Sequence, residues 1–172
     1  MSATVNSSVH IEQVDLNDEI LIEKIEVIAR QIWTEHYSPI IGIKQVNYML
    51  DKFQSKEAMK RQMMQGYQYY AVLIEDLLIG YFSVQLRESS LFLSKAYLLK
   101  DYRGKGIFST MMSFIEHLGN ELGANQIELT VNKYNSGSHK VYEAKGFIRE
   151  EEAVFDIGNG YVMDDYIYLK HI

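Results

Sequence analysis

The segment at 98–108, LLKDYRGKGIF, constrains the fold most, because it joins an apolar run typical of a strand to a stripe typical of a helix. Gly104 and Gly106 lie between the two, and glycine lets the backbone turn tightly and approach a ligand closely. The first N–H groups of a helix lack partners within it and carry partial positive charge. With Arg103 and Lys105 beside them, they predict an anion site, most naturally for phosphate.

Apolar periodicity around this segment predicts one α/β domain over 9–172. Pro39, the single proline, is expected to end the first helix, and 158–160 (Gly-Asn-Gly) to form a hairpin turn. The predicted order is a strand (9–14), helices, three strands (69–74, 78–86 and 91–99), a helix (108–122), a strand (126–131), a helix (136–144) and two strands (147–157 and 161–170).

The fourth and fifth predicted strands, 91–99 and 126–131, flank a crossover helix and should therefore be parallel. The expected architecture is a mixed, mostly antiparallel sheet of six to seven strands, flanked by about four helices. A ligand is expected at the carboxyl end of strand 4.

Composition excludes several classes of function. The net charge of −6 argues against nucleic-acid binding, and the absence of cysteine excludes disulfides and thiolate chemistry. The five histidines lack metal-ligand spacing, so no metal is expected. No apolar run approaches the roughly 18 residues of a membrane span. The polar segment 1–8 is predicted to be flexible and lacks the features of a secretory signal, so a cytoplasmic location and no membrane association are expected.

A second motif, NSGSHKVYEAKGF, covers 135–147. Together with the glycine loop, it resembles the GNAT superfamily of acetyl-coenzyme A (acetyl-CoA) dependent N-acetyltransferases. The superfamily's first pattern falls on 103–108, and its later pattern falls on Asn135, Ser138, Tyr142, Gly146 and Phe147. The resemblance implies a single-domain GNAT fold over 9–172, with strands 4 and 5 splayed by a β-bulge.

By the same resemblance, acetyl-CoA is the co-substrate, and a bound amine attacks its thioester directly in a ternary complex. Tyr142 is expected near the sulfur, donating a proton to the leaving thiolate. The pyrophosphate would be held by Arg103, Gly104, Lys105, Gly106, Ile107 and Phe108, and the pantetheine arm by Ala96, Tyr97, Leu98, Asn135 and Ser138.

Two departures from the superfamily pattern stand out. Phe108 occupies a place usually held by glycine or alanine, and we expect it to turn into the core. Ser94 lies where strand 4 often carries a catalytic acid. The base is therefore left among Glu35, His36, Tyr37 and Tyr97, each with a surface or packing role as the alternative. His139 is expected to be semi-exposed. Lys95, Lys100, Arg103 and Lys105 are expected to form one basic group suited to the cofactor's phosphates.

The acceptor is predicted to be a small polyamine. Three segments, 33–37, 48–50 and 163–165, are loosely similar to bacterial spermidine and spermine acetyltransferases. The acids Glu35, Asp164, Asp165 and 150–152 would attract a polycation if they face the pocket. A protein N-terminus, an amino sugar or an antibiotic remains an alternative acceptor, and a non-catalytic acetyl-CoA sensor an alternative function. Pairing of the aromatic last strands would give a homodimer.

Overall fold

The computed structural model describes residues 8–172, so most of the segment predicted to be flexible lies outside the described residues. The described part contains seven strands and five α-helices, in the order expected. The strands are β1 Val9–Gln13, β2 Gln68–Ile74, β3 Leu77–Arg87, β4 Ser90–Leu98, β5 Gln126–Asn132, β6 Ile148–Gly158 and β7 Tyr161–His171. The helices are α1 Glu19–Ile41, α2 Ile43–Phe53, α3 Lys56–Met64, α4 Ile107–Glu121 and α5 Ser136–Ala144.

The strands form one sheet in the order β1-β2-β3-β4-β5-β7-β6. The β4–β5 pair is parallel, as predicted, and every other neighbouring pair is antiparallel. The hairpin turn between β6 and β7 is also confirmed, with Asn159 in the left-handed region at φ 53°. The expected mixed α/β architecture is therefore observed.

Helices cover both faces of the sheet. On one face, α4 packs Ile107, Met111 and Ile115 into a core that includes Ile127 and Leu129. On the other face, α1, α2 and α3 bury side chains that include Ile25, Trp33, Val46, Leu50 and Met59. These four helices thus bury their apolar stripes in the cores beside the sheet, which is the main source of helix stability in proteins.

Pro39 does not end the first helix as predicted, because α1 continues through it to Ile41. The proline lies in the last turn, where the only intrahelical bond it removes is the one to the Glu35 carbonyl. The helix stops at Gly42, whose φ of 85° few other residues adopt. The longer α1 carries His36 and Tyr37 in regular helical geometry.

A β-bulge in β4 opens the middle of the sheet. In the β3–β4 ladder, Ser83 pairs with Lys95 and Val84 with Leu93, so Ser94 has no opposite residue. The β4–β5 ladder contains only the pairs from Ser90–Gln126 to Phe92–Glu128, after which the strands separate. The bulge also reverses the alternation of side chains, so Leu93 and Lys95 face opposite sides of the sheet.

At the far edge of the sheet, β6 exposes Ile148, Val154 and Phe155. Pairing of two copies here, the basis of the predicted homodimer, stays a prediction. Within residues 8–172, none of the helices is long and apolar enough to cross a membrane. The same residues contain no group of three or more histidine, aspartate or glutamate side chains placed to hold a metal ion.

Candidate active site

A cleft of about 1050 Å³ occupies the opening between β4 and β5. Its walls come from both faces of the sheet: Trp33, His36 and Tyr37 of α1 on one side, and Phe108 and Tyr142 of α4 and α5 on the other. Beyond Phe92, the β4 backbone has no partner on its β5 side. The cleft therefore offers both an unpaired strand edge and two opposed walls to a ligand.

The glycine loop adopts the predicted geometry. Gly104 and Gly106 have φ values of 73° and 83°, and Gly106 precedes α4 without any side-chain cap on the helix. Arg103 and Gly104 line the cleft, and the Arg103 Nε donates a hydrogen bond to the Leu98 carbonyl at 3.0 Å. The amides at the start of α4, which no side chain caps, are suited to accept an anion beside the cleft. Of the remaining loop residues, Lys105 is exposed and the Ile107 side chain is buried in the core.

Phe108 is half-buried rather than turned fully into the core. Its ring packs on the main core, lines the cleft and contacts the Tyr142 ring edge-to-face, with 5.7 Å between centroids. The expectation that it points away from the site is therefore wrong in part. Its position one residue after the start of α4 directs it along the cleft wall, where it supports Tyr142.

Tyr142 lies in the cleft on α5, held between the rings of Phe108 and Phe147. Burial raises the pKa of its hydroxyl, and the nearby Tyr37 adds to the effect. The raised pKa keeps the hydroxyl protonated at neutral pH, the state that a proton donor requires.

Asn135 caps α5 and is almost fully buried. Its Oδ1 accepts hydrogen bonds from the Ser138 backbone N–H at 3.4 Å and from His36 Nε2 at 3.1 Å, and its Nδ2 lies 3.5 Å from the Tyr37 hydroxyl. Asn135 and Ser138 both line the cleft. The second motif is thus brought beside the first, and Asn135 connects it to α1.

Aromatic rings fill the wall formed by α1. Trp33 stacks on Tyr37 at 4.3 Å and contacts Tyr97 at 5.8 Å, edge-on. Burial raises the pKa of Tyr37 to about 12, and burial with neighbouring tyrosines raises the pKa of Tyr97 well above its usual range. Both hydroxyls stay protonated at neutral pH, so neither is suited to accept a proton there.

The two other base candidates, Glu35 and His36, differ in whether they line the cleft. Glu35 is exposed and is not among the residues that line the cleft. His36 is half-buried and lines the cleft, but its Nε2 is engaged by Asn135. Ala96, Tyr97 and Leu98 also line the cleft, along the unpaired part of β4.

Lys95 does not belong to the basic group predicted around the loop. It is 5% exposed, and its Nζ donates hydrogen bonds to the Phe53 carbonyl, Gln62 Oε1 and the Tyr69 hydroxyl, on the face covered by α1–α3. Burial holds the pKa of this amine well below its usual range. The prediction failed because the bulge turns Lys95 away from the face that carries the loop.

His139 is buried, contrary to expectation. Its Nε2 donates to the Lys133 carbonyl at 3.1 Å, and its Nδ1 lies 2.9 Å from the Tyr168 hydroxyl. It therefore fixes α5 to β7 rather than facing solvent.

Asp165 lines the cleft, whereas its neighbour Asp164 does not. The sequence alone did not distinguish the two acids. Asp165 is 4% exposed, whereas Asp164 pairs with Lys133, with 3.0 Å between Oδ1 and Nζ. Burial raises the pKa of Asp165 to about 6, and the charge of Asp164 adds to the effect. The alternation of side chains along β7 is the one sequence signal that separates the two.

Comparison with known proteins agrees with this geometry. A family model described as "Acetyltransferase (GNAT) domain" matches residues 39–162, and no curated protein matches the chain in sequence. Among solved structures, a PaiA N-acetyltransferase from Thermoplasma acidophilum in complex with coenzyme A is similar with TM-score 0.81 and 21% identity, over 96% of this chain and 99% of that one.

Two further structures share the fold. A GNAT family acetyltransferase from Elizabethkingia anophelis with acetyl-CoA bound gives TM-score 0.67 and 11% identity, over 96% of this chain and 99% of that one. NAA60 from Arabidopsis thaliana in complex with a bisubstrate analogue gives TM-score 0.68 and 15% identity, over 95% and 99%. The family model spans most of the chain and the fold agrees with a solved acetyltransferase over 96% of it, so the chain belongs to the GNAT superfamily of acetyl-CoA dependent N-acetyltransferases.

Proposed function

We propose that this protein transfers the acetyl group of acetyl-CoA to a primary amine by direct attack in a ternary complex. The observation that carries the proposal is the unpaired edge of β4 beyond Phe92, which lines the same cleft as the glycine loop before α4 and Tyr142. Two of the structurally similar proteins contain coenzyme A or acetyl-CoA, which supports the same co-substrate here.

The residues present fit this co-substrate. The uncapped amides of the loop 104–107 suit a pyrophosphate, and Arg103 adds a positive charge beside them. The backbone at 96–98 can pair with the amides of the pantetheine arm, as a neighbouring strand would. A thioester held in this way would lie in the cleft that Tyr142 lines.

In the proposed reaction, the neutral amine attacks the thioester carbonyl, the C–N bond forms and the C–S bond breaks. Tyr142 gives its proton to the departing thiolate, and the proton lost from nitrogen restores the tyrosine. Such acid assistance contributes on the order of 10²- to 10⁴-fold, and positioning of the two substrates contributes the larger share.

For the acceptor we propose a small polyamine. Glu128 and Asp165 are the acids that line the cleft, both on the face covered by α1–α3. Asp165 pairs with Asn132, which lies four residues beyond Glu128 on β5, so the two carboxylates are roughly 13 Å apart along the strand direction. A linear diamine or polyamine can bridge such a distance. The remaining acids named from the sequence do not line the cleft: Glu35, Glu150 and Glu151 are exposed, and Asp164 and Glu152 pair with Lys133.

A coenzyme A release assay with a panel of amines tests both parts of the proposal. The panel contains linear diamines of increasing length, polyamines, matched monoamines, an amino sugar, an aminoglycoside and a peptide with a free N-terminus. We expect diamines long enough to span both carboxylates to be preferred over monoamines, and Glu128→Gln to remove the preference. If only the amino sugar, the aminoglycoside or the peptide is acetylated, that compound class is the acceptor and the polyamine proposal is wrong. Binding of acetyl-CoA without release of coenzyme A on any amine would indicate a sensor instead.

A further inference from the structure

The cleft contains a buried carboxylate oxygen for which the protein itself provides no partner. Within residues 8–172, Oδ1 of Asp165 is buried and accepts no hydrogen bond. Burying an ionised carboxylate is costly, so such groups are normally paired or hydrogen-bonded. A buried carboxylate that lines a cleft and keeps one oxygen without a partner indicates a place for a cationic ligand.

Asp165 lies on the side of the cleft that α1 and α2 cover, where the acceptor is proposed to bind. It pairs with Asn132 across β5–β7, which puts it on the same face as Thr130 and as Met163, and this face is covered by α1 and α2. The glycine loop and Tyr142 belong to the opposite wall. Asp165 therefore lies opposite the groups proposed to hold the cofactor.

The polar and titratable groups around Asp165 come from four elements: β7, β5, α1 and α2. Asp164 on its own strand raises its pKa, and a hydrogen bond from Thr130 of β5 lowers it. From α1, Tyr37 is close enough for the charge of Asp165 to raise its pKa. From α2, Lys52 lines the same cleft. On the β6 side, Asp165 pairs with Ala153, which has no charge, and the adjacent Glu152 is bound to Lys133.

Basic side chains otherwise outnumber acidic ones in the lining. Glu128 is the other acidic residue there, and it is half-buried. The basic side chains that line the cleft are Lys52, Arg61, Arg87, Lys95 and Arg103. Within the described part of the chain, Asp165 is thus the one buried carboxylate in the lining that can pair with the ammonium group of an acceptor.

We propose that Asp165 binds the reacting amino group of the acceptor and accepts its proton before attack. The step rests on the proposed acetyl transfer. The ammonium N–H bond breaks, its proton passes to the Asp165 carboxylate, and the nitrogen keeps the electron pair that forms the new C–N bond. Asp165 later returns the proton to water. This role fills the place left by Ser94, where strand 4 has no acid.

Burial of Asp165 gives the proposed step a pH dependence that can be measured. A carboxyl whose pKa is about 6 is mostly ionised at neutral pH, so it can receive a proton and is more basic than an exposed aspartate. The rate at limiting amine concentration should therefore rise with pH along a limb centred near the value for Asp165. Tyr37 and Tyr97, whose pKa values are raised, cannot produce such a limb.

The decisive experiment compares Asp165→Asn with Asp164→Asn, a matched control that removes the same charge one residue away. For Asp165→Asn, we expect kcat/KM for the amine to fall by about 100-fold or more at pH 7.5 and the limb near pH 6 to disappear. Acetyl-CoA affinity should stay within about threefold, since the phosphate site lies on the other wall. Asp164→Asn should keep the limb, moved to somewhat lower pH because the charge of Asp164 helps to raise the pKa of Asp165. Thermal unfolding of both variants establishes that each is folded.

Retention of the limb and of kcat/KM in Asp165→Asn would overturn the proposal. If the wild type transfers acetyl to no amine, the proposed function fails separately. In that case calorimetry with spermidine at pH 7.5 still decides the role of Asp165: binding by the wild type that Asp165→Asn loses supports it, and equal or absent binding refutes it.

Discussion

His36 on α1 donates a hydrogen bond from Nε2 to Oδ1 of Asn135 at the start of α5, over 3.1 Å. The same oxygen caps α5 through the Ser138 N–H. One buried amide therefore both starts the helix that carries Tyr142 and ties it to the opposite wall of the cleft. Because α1 forms the wall proposed for the acceptor and α5 the wall proposed for the cofactor, this contact connects the two proposed substrate sites.

Removing this amide should affect stability and activity together. Asn135→Ala is expected to lower the free energy of unfolding by about 1–2 kcal/mol, the usual cost of a lost N-cap, and to raise KM for both substrates. Urea denaturation and steady-state kinetics measure the two effects. Ser55→Ala is the matched control, because Ser55 caps α3 through the Ala58 N–H away from the loop and α5. Equal kinetics for the two variants would contradict the coupling of the walls.

Tyr142→Phe should lower kcat by on the order of 10²-fold at neutral pH while leaving the KM values close to those of the wild type. The reason is that the hydroxyl, kept protonated by burial, is lost while the ring still packs between Phe108 and Phe147. Tyr134→Phe removes a hydroxyl from an exposed tyrosine nearby and serves as control. Full turnover by Tyr142→Phe would eliminate its role as the acid.

Phe108→Ala tests whether the Phe108 ring positions Tyr142 or contributes to acetyl-CoA binding. We expect kcat to fall by roughly tenfold, because Tyr142 loses the ring that holds it in place, while the dissociation constant for acetyl-CoA changes little, since backbone amides hold the phosphates. Phe114→Ala, on the same helix and packed on Tyr70 and Phe82, controls for lost stability. A much tighter complex of Phe108→Ala with acetyl-CoA would mean instead that the ring crowds the cofactor.

Lys95 should make stability depend on pH. Its pKa is lowered by burial, so the unfolded chain binds more protons at this position than the folded protein. The contribution of Lys95 to stability therefore falls as pH decreases from its ordinary pKa of 10.5 toward the lowered value. Between pH 8 and 9.5, we expect the unfolding free energy of the wild type to rise relative to Lys95→Met, by at most about 1.4 kcal/mol per pH unit.

Urea denaturation of both proteins at several pH values measures this difference. Lys140→Met removes an exposed lysine and provides the control. A difference between wild type and Lys95→Met that is constant across the pH range would show that the buried amine does not carry the effect.

Local pattern was enough to predict most of the fold. The strands, the glycine loop and the hairpin at 158–160 depend on alternation and on glycine conformation, which neighbouring residues determine. Pro39 was misjudged because its cost depends on its place within the last turn of the helix, and the pattern could not show that the helix ends at Gly42.

Side-chain burial in the site was harder to predict. Lys95 was assigned to the wrong surface because a single extra residue, Ser94, reverses every later side chain in β4, and only the pairing with β3 reveals it. His139 was expected near solvent because its contact, Tyr168, lies 29 residues away along the chain. Asp165 faces the cleft and Asp164 does not, because side chains alternate along β7 and α1 and α2 cover one face of the sheet. Composition alone reveals neither cause.

The bulge at Ser94 has a consequence for how such a protein diversifies. The cleft is lined from both faces of the sheet: α1–α3, which end before residue 65, lie on one side, and α4 and α5, which begin after residue 106, lie on the other. If the acceptor and acetyl-CoA bind as proposed, each reaches the cleft from its own side. Either substrate can arrive first without blocking the other, which predicts random-order kinetics. The helices that cover the proposed acceptor side, α1–α3, form one continuous stretch of the chain, so substitutions there can reshape that side of the cleft without altering the glycine loop or α5.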